Sequence, residues 1–341
     1  MQHFLSLAEQ TPEEIEGLLS LAKAFEQAGS AERLAERRLA GRILALLFFN
    51  PSLRTLASFQ SAMVRLGGST LTISPGRGSW VLETRDGAVM DGEASEHVRE
   101  AIPVLGGYAD ALGIRCFAGG TDLEADVADL EFRRMAALSP VPVINLESAV
   151  DHPCQALGDW KTLDDLALPR RGGRLVLSWA NHPKPLPLAV PAAVAHMAAL
   201  RGMELVILRP TAFALPEPVM ARAREAAELS GGQVIETEDR AEALAGAHAV
   251  YAKSWASPLY YGQPEAEVEL RQRLSDWCVR ESWFAPARPD CRLLHCLPVR
   301  RNVVVADEVL DGPRSAVLQQ AKNRLWVQMA VLARLLRGES R

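Results

Sequence analysis

Residues 42–59 read Arg-Ile-Leu-Ala-Leu-Leu-Phe-Phe-Asn-Pro-Ser-Leu-Arg-Thr-Leu-Ala-Ser-Phe. Ile43 to Phe49 is an unbroken apolar run, the pattern of a strand covered on both faces. Asn50-Pro51-Ser52 breaks that run, and apolar residues at Leu56, Phe59, Met63 and Leu66 then follow helical spacing. The helix therefore opens near Ser52, whose hydroxyl can cap free backbone N–H groups. Arg54 and Thr55 fall in the first turn, where N–H donors and the helix dipole already favour an anion. A strand, a tight turn and a helix start carrying Ser, Arg and Thr make a phosphate cradle. An ordinary capped helix with a surface arginine fits the same spacing.

Outward from this stretch, strands and helices alternate. Thr11-Pro12-Glu13-Glu14 opens a first helix with capping-box spacing, ending near Gly29. Ser69–Ile73 reads as a short strand, and 74–95 as a long loop of the kind that carries function. Helix 96–107, strand 110–114, helix 125–138 and strand Val141–Leu146 follow. The second half repeats the pattern: helix 153–166, strand Leu175–Ser178, helix 187–200, strand Glu204–Leu208, helix 217–229, Val234-Ile235, helix 239–246, and strands Ala249–Ala252 and Arg292–Leu294. A long amphipathic helix over about 313–336 ends the chain. The expected fold class is α/β: two doubly wound parallel-sheet domains, with the last helix packing back on the first. The seam falls at Ser148–His152.

The chain has 341 residues, 48% of them hydrophobic, enough for two packed cores. Its net charge of −5 argues against a nucleic-acid binder, so any anion site must be a local gathering of Arg and His. No apolar run reaches the roughly 18 to 20 residues that span a bilayer, and no secretory leader is visible. The five cysteines are odd in number and lack metal-type pairing. These features lead us to expect a soluble cytoplasmic protein with free thiols.

Ligand sites in such sheets gather at the carboxyl ends of strands. Those ends carry Asn50–Thr55, Arg115, Glu147–Gln155, His182, Lys253 and His295–Arg301. Neither half has a dinucleotide or P-loop glycine pattern. After Leu175–Ser178 stands Trp179-Ala180-Asn181-His182-Pro183-Lys184-Pro185-Leu186-Pro187 instead, which argues against nucleotide cofactors. His152 and Gln155 supply donors suited to a carbonyl oxygen, although a helix-capping turn reads the same way. Cys296 is a nucleophile candidate, or a small residue lining a site. Trp179 and Trp255 read as packing, and Val303–Val305 as core.

Ser52-Leu53-Arg54-Thr55, Arg115, His152-Pro153-Cys154-Gln155, His295-Cys296-Leu297-Pro298 and Arg324 together resemble the aspartate/ornithine carbamoyltransferases in order and spacing, over essentially the whole chain. Gly78-Ser79-Trp80, Leu82-Glu83-Thr84, Val89-Met90-Asp91-Gly92, His182 to Pro187 and Tyr251-Ala252-Lys253-Ser254-Trp255 resemble the branch acting on N-acylated ornithine. The resemblance implies a carbamoyl-phosphate-binding domain at 1–150, an acylornithine-binding domain at 151–312 and a returning helix at 313–341. It also implies a homotrimer with shared sites, a chain knot around the Pro-rich 183–190 loop, and no metal or organic cofactor. Arg54, the Ser52–Thr55 backbone, Leu53 included, and Arg324 would hold the phosphate, with Trp80 reaching in from a neighbouring subunit. Arg115, His152, Gln155 and Thr55 would polarise the carbonyl, with Pro153 and Cys154 in the same segment. Cys296 and the Leu297 carbonyl would orient the attacking amine. Glu147, His182, Lys253 and Arg300 would hold the α-carboxylate and acyl group.

Two departures from the family pattern stand out. Leu56 occupies the place of a second Arg beside the phosphate. Ser95 stands where the N-acetylornithine type carries a Glu, and Val304 where it carries a Lys. A Glu would repel a succinyl carboxylate, whereas Ser95 is neutral and Arg300 can pair with it. The expected acceptor is therefore N-succinyl-L-ornithine, with N-acetyl-L-ornithine second and ornithine third. The alternative of a different class is a non-catalytic small-ligand binder or regulator.

Overall fold

The computed structural model describes residues 3–29 and 37–336; the expected domain ends at 1–2 and 337–341 lie outside them. The chain forms two compact units. One comprises Met1–Ala118, Ala128–Cys154 and Arg324–Arg341, and the other Gly119–Val127 and Gln155–Asn323. The seam thus falls at Cys154–Gln155, just past the stretch chosen from sequence. The return falls at Asn323–Arg324, inside the last helix rather than ahead of it at 313.

The first unit is built on four parallel strands: β1 (Ile43–Phe48), β2 (Ser69–Ile73), β5 (Ala111–Arg115) and β6 (Val143–Glu147), in the order β2-β1-β5-β6. Leu44 to Leu47 are fully buried, as a strand covered on both faces requires. The helix Leu53–Arg65 follows β1 directly, with Ser52 as its cap. Pairing sets Phe48 opposite Arg115, so the carboxyl ends of β1 and β5 are level. Between β5 and β6 the register slips after Ile114, and Arg115 faces Glu147 rather than Leu146. Because side chains alternate across a sheet, that single slip re-aims a carboxylate at the arginine.

Two expectations change here. The 74–95 region is flanked and partly ordered by a short parallel pair, β3 (Leu82–Glu83) and β4 (Glu96–His97). The single helix expected at 125–138 is two, Leu123–Val127 and Leu130–Ala137. The break is Asp129, held in left-handed backbone at φ 55°. Its carboxylate accepts from Ser148 Oγ at 2.6 Å and Ala149 N at 3.2 Å, contacts that a continuous helix would forfeit.

The second unit carries five parallel strands: β7 (Arg174–Trp179), β8 (Glu204–Leu208), β9 (Gln233–Thr237), β10 (Ala249–Lys253) and β11 (Arg292–Leu294), in the order β11-β10-β7-β8-β9. Trp179 is buried against Phe213 and Trp277, and Trp255 is buried with its indole donating to the Phe213 carbonyl; both pack, as read from sequence. The last helix is Val317–Leu336. Its later turns belong to the first unit, where Arg65 stacks over the Trp326 ring and Arg334 reaches Gln10 and Glu14. Among the described residues, no helix is long and apolar enough to cross a membrane.

Candidate active site

In the first unit the β1 end, the helix start and the ends of β5 and β6 converge on one cationic cluster. Ser52 Oγ accepts from Thr55 N and donates to Thr55 Oγ1 at 3.0 Å. Thr55 is fully buried, and its hydroxyl oxygen also accepts from Arg324 Nη2 at 2.9 Å. With two bonds accepted, the Thr55 proton remains to be donated.

Arg115 is buried at the end of β5. Its Nε donates to the Asn50 carbonyl at 3.1 Å, its Nη1 pairs with Glu147, and its guanidinium lies 4.6 Å from the Phe117 ring centroid. Glu147 Oε2 is also 3.5 Å from His152 Nε2. Glu147 therefore lies against Arg115 and His152 within the first unit.

Arg324 is almost wholly buried. Burial pushes its pKa below the usual value, Cys154 and Glu147 oppose that fall, and Arg115 and Arg54 add to it by repulsion. Three guanidiniums thus face one another with Glu147 as the neighbouring carboxylate, and an entering anion relieves their repulsion. Cys154 is no nucleophile: burial pushes its thiol up to about 12. Pro153 is the first residue of the helix Pro153–Asp165, where its missing N–H costs nothing.

Gln155 opens onto the second unit's chemistry, with an orientation opposite to the expected one. Its Nε2 donates to Asp159 Oδ1 at 2.7 Å, while its Oε1 is buried without a protein partner. What Gln155 has to offer is an acceptor, not a donor for a carbonyl.

His182, Lys253 and Arg300 come together in this unit. Arg300 Nε donates to His182 Nε2 at 3.0 Å, while His182 Nδ1 lies 2.9 Å from the Lys184 carbonyl oxygen and 3.1 Å from the Lys184 backbone nitrogen. Burial lowers the His182 pKa, and Arg300, Lys253 and Arg271 lower it further by repulsion, against the bond to Lys184. The neutral imidazole and two cations form a second anion-seeking group. Cys296 and Leu297 lie after β11. Leu297 N donates to His295 Nδ1 at 2.8 Å, with Leu297 itself at φ 56°.

Trp80 is exposed, and its indole donates to Glu96 Oε2 at 2.8 Å. Ser95 is exposed too, its backbone N–H on the Val81 carbonyl at 3.2 Å. Sequence reading missed Asp159, Gln320 and Arg271. Arg271 is buried, donates to the His182 and Trp255 carbonyls and Ser254 Oγ, and pairs with Glu267. The signal for Asp159 was its place one helical turn beyond Gln155. Among the described residues, no group of three or more His, Cys, Asp or Glu is placed to hold a metal ion.

The family model for the aspartate/ornithine carbamoyltransferase carbamoyl-P binding domain matches residues 2–165, and that for the Asp/Orn binding domain matches 190–335. The N-acetylornithine carbamoyltransferase of Xanthomonas campestris pv. campestris is 38% identical over 344 residues, covering 100% of this chain and 99% of that one. The N-succinylornithine carbamoyltransferase of Bacteroides thetaiotaomicron is 35% identical over 319 residues, covering 94% and 95%. A solved N-acetyl-L-ornithine transcarbamylase with one glutamate replaced by serine, complexed with carbamyl phosphate and N-succinyl-L-norvaline, superposes with a TM-score of 0.93 at 38% identity, covering 98% of this chain and 100% of that one. The chain belongs to the aspartate/ornithine carbamoyltransferase family, in its N-acylornithine branch.

Proposed function

We propose that the protein transfers the carbamoyl group of carbamoyl phosphate to the side-chain amine of an N2-acyl-L-ornithine, giving the N-acylcitrulline and phosphate. The observation that carries this reading is the mutual repulsion of Arg54, Arg115 and Arg324 around Thr55, a cluster that a phosphate dianion would neutralise. In this reading the first unit binds carbamoyl phosphate. Arg54, Arg324 and the N–H groups from Ser52 to Thr55 hold the phosphate, and the Thr55 proton, Arg115 and His152 face the carbonyl oxygen. Gln155 Oε1 accepts an N–H from the carbamoyl NH2 group. Phosphate oxygen and carbamoyl nitrogen are thereby told apart by charge and by hydrogen-bond polarity.

The amine has an unperturbed pKa of about 10.4 and must shed a proton before its nitrogen attacks the carbonyl carbon. That first proton passes to solvent; the C–N bond then forms, the bond between the carbonyl carbon and the phosphate oxygen breaks, and phosphate leaves with the electron pair and takes the second proton from the attacking nitrogen. Cys296 and the Leu297 carbonyl orient the amine. His182, Lys253 and Arg300 take the α-carboxylate and the acyl group. Trp80 serves a neighbouring subunit's site in a homotrimer.

For the acyl group we propose N-acetyl-L-ornithine, in place of the succinyl acceptor expected from sequence, because relatives 38%, 37% and 36% identical to this chain carry the acetyl name. Ser95 favours N-succinyl-L-ornithine as the second reading, since it puts no charge where a glutamate would repel a carboxylate. The test is carbamoyl-phosphate-dependent phosphate release with ornithine, N-acetylornithine and N-succinylornithine in parallel. Highest kcat/KM with N-acetylornithine supports the first reading, and with N-succinylornithine the second. Release with ornithine alone, or with none, refutes both.

A further inference from the structure

Asp159 is fully buried in the helix Pro153–Asp165, one turn beyond Gln155 and so on the same face. Its Oδ1 accepts from two side-chain amides, Gln155 Nε2 and Gln320 Nε2, each at 2.7 Å. A carboxylate accepts and does not donate, so both amides must turn their NH2 ends toward it and their oxygens away. The Gln320 oxygen is used at once: it accepts from His295 N at 2.9 Å. His295 Nδ1 in turn accepts from Leu297 N, closing a turn whose last residue, Leu297, sits in left-handed backbone. The Gln155 oxygen meets no protein donor although it is buried.

The buried Tyr251 hydroxyl stands beside the same carboxylate. Burial, then the charge of Asp159, holds its pKa well above the ordinary range, so it is a phenol donor and not a base.

We propose that Asp159 is a positioning residue: its single oxygen fixes the Gln155 amide with the acceptor end outward and, through Gln320, pins the His295–Leu297 turn. A free glutamine amide presents either end at little cost. Tied to Asp159 it presents only oxygen, and so selects an N–H-bearing group over a carbonyl. The arrangement joins one segment of each kind the reaction needs, the Gln155 acceptor and the Leu297 carbonyl, to one atom. Nothing in the sequence motifs assigns Asp159, Gln320 or Tyr251 this part. The proposal rests on the carbamoyl-transfer reading above.

The test is a double-mutant cycle of Asp159→Ala with Gln155→Ala, read as kcat/KM for carbamoyl phosphate, with Asp159→Asn alongside. Asp159→Ala alone should lower kcat/KM about 10- to 100-fold, the worth of a hydrogen bond to a charged group. In the Gln155→Ala background the same change should cost at least about threefold less than in the parent, because only the route through Gln320 remains. Asp159→Asn keeps an oxygen at Oδ1 and should stay within about threefold of the parent. Equal losses in both backgrounds, or an Asn variant as poor as the Ala one, overturn the proposal. A second measurement does not depend on the variants folding: in the parent protein the 15N-labelled Gln155 amide protons should exchange slowly with solvent, and rapid exchange overturns it. A parent protein that transfers no carbamoyl group refutes the proposed function instead, so the two failures are distinguishable.

Discussion

Replacing Glu147 with alanine removes the carboxylate that offsets the Arg54, Arg115 and Arg324 cluster. The Arg115–Glu147 pair is buried, with side chains 7% and 11% exposed, so solvent screens it little. Breaking a buried pair from one side costs about 3–5 kcal/mol, because the remaining charge is left unpaired. Arg115 keeps its bond to the Asn50 carbonyl and its place on the Phe117 ring, which puts the cost at the lower end, about 3 kcal/mol. For a unit of this size that lowers the midpoint of thermal unfolding by about 6–12 °C.

The same cluster, stripped of its carboxylate, should bind inorganic phosphate more tightly. Phosphate at 100 times its Kd would return about 2.7 kcal/mol, nearly the whole loss. The assay is a thermal melt of parent and variant over a phosphate titration. A variant that melts within about a degree of the parent refutes the argument for the pair. A destabilised variant that phosphate fails to rescue refutes the anion site.

Arg54→Ala should lower kcat/KM for carbamoyl phosphate about 100-fold or more in a steady-state assay, the scale of losing one preorganised charge stabiliser; near-normal rates would remove Arg54 from the cradle. His196 is buried in the helix Ala189–Leu200 and its pKa is lowered to about 4 by burial first and Arg222 second. The unfolded chain therefore binds a proton that the native one refuses between about pH 6.5 and 4, and stability falls across that window as pH drops, by roughly 3 kcal/mol in all. His196→Gln should flatten that limb in denaturant titrations, and an unchanged limb would contradict the assignment. Ser95→Glu should cut activity on N-succinylornithine about tenfold or more and leave N-acetylornithine nearly unchanged; equal effects on both acceptors would take Ser95 out of acyl selection.

Much of the fold was legible because its strands are short apolar runs ending in polar, chemistry-bearing residues. The apolar text of Ile43 to Phe48 and the polar break at Asn50-Pro51-Ser52 encode a buried strand and a capped helix start by local rules alone. What local rules cannot carry was misread. The helix break at Asp129 depends on Ser148 and Ala149, distant in sequence. The pairing of Glu147 with Arg115 was not foreseen, because it is fixed by a one-residue register slip between β5 and β6. Gln155 was read as a donor because the two ends of an amide are equivalent in a sequence, and Asp159 decides between them. The set Arg54, Thr55, Arg115, His152 and Arg324 was read from its order along the chain, and all five residues belong to one unit.

The central claim is that this protein moves an intact carbamoyl group onto an acylornithine amine. Its most direct test is incubation with 13C-carbamoyl phosphate and N-acetylornithine, followed by mass spectrometry of the products. The account predicts the label in the ureido carbon of N-acetylcitrulline, in step with one phosphate released per molecule formed. Phosphate released without labelled citrulline, or tight binding with neither product, would contradict it.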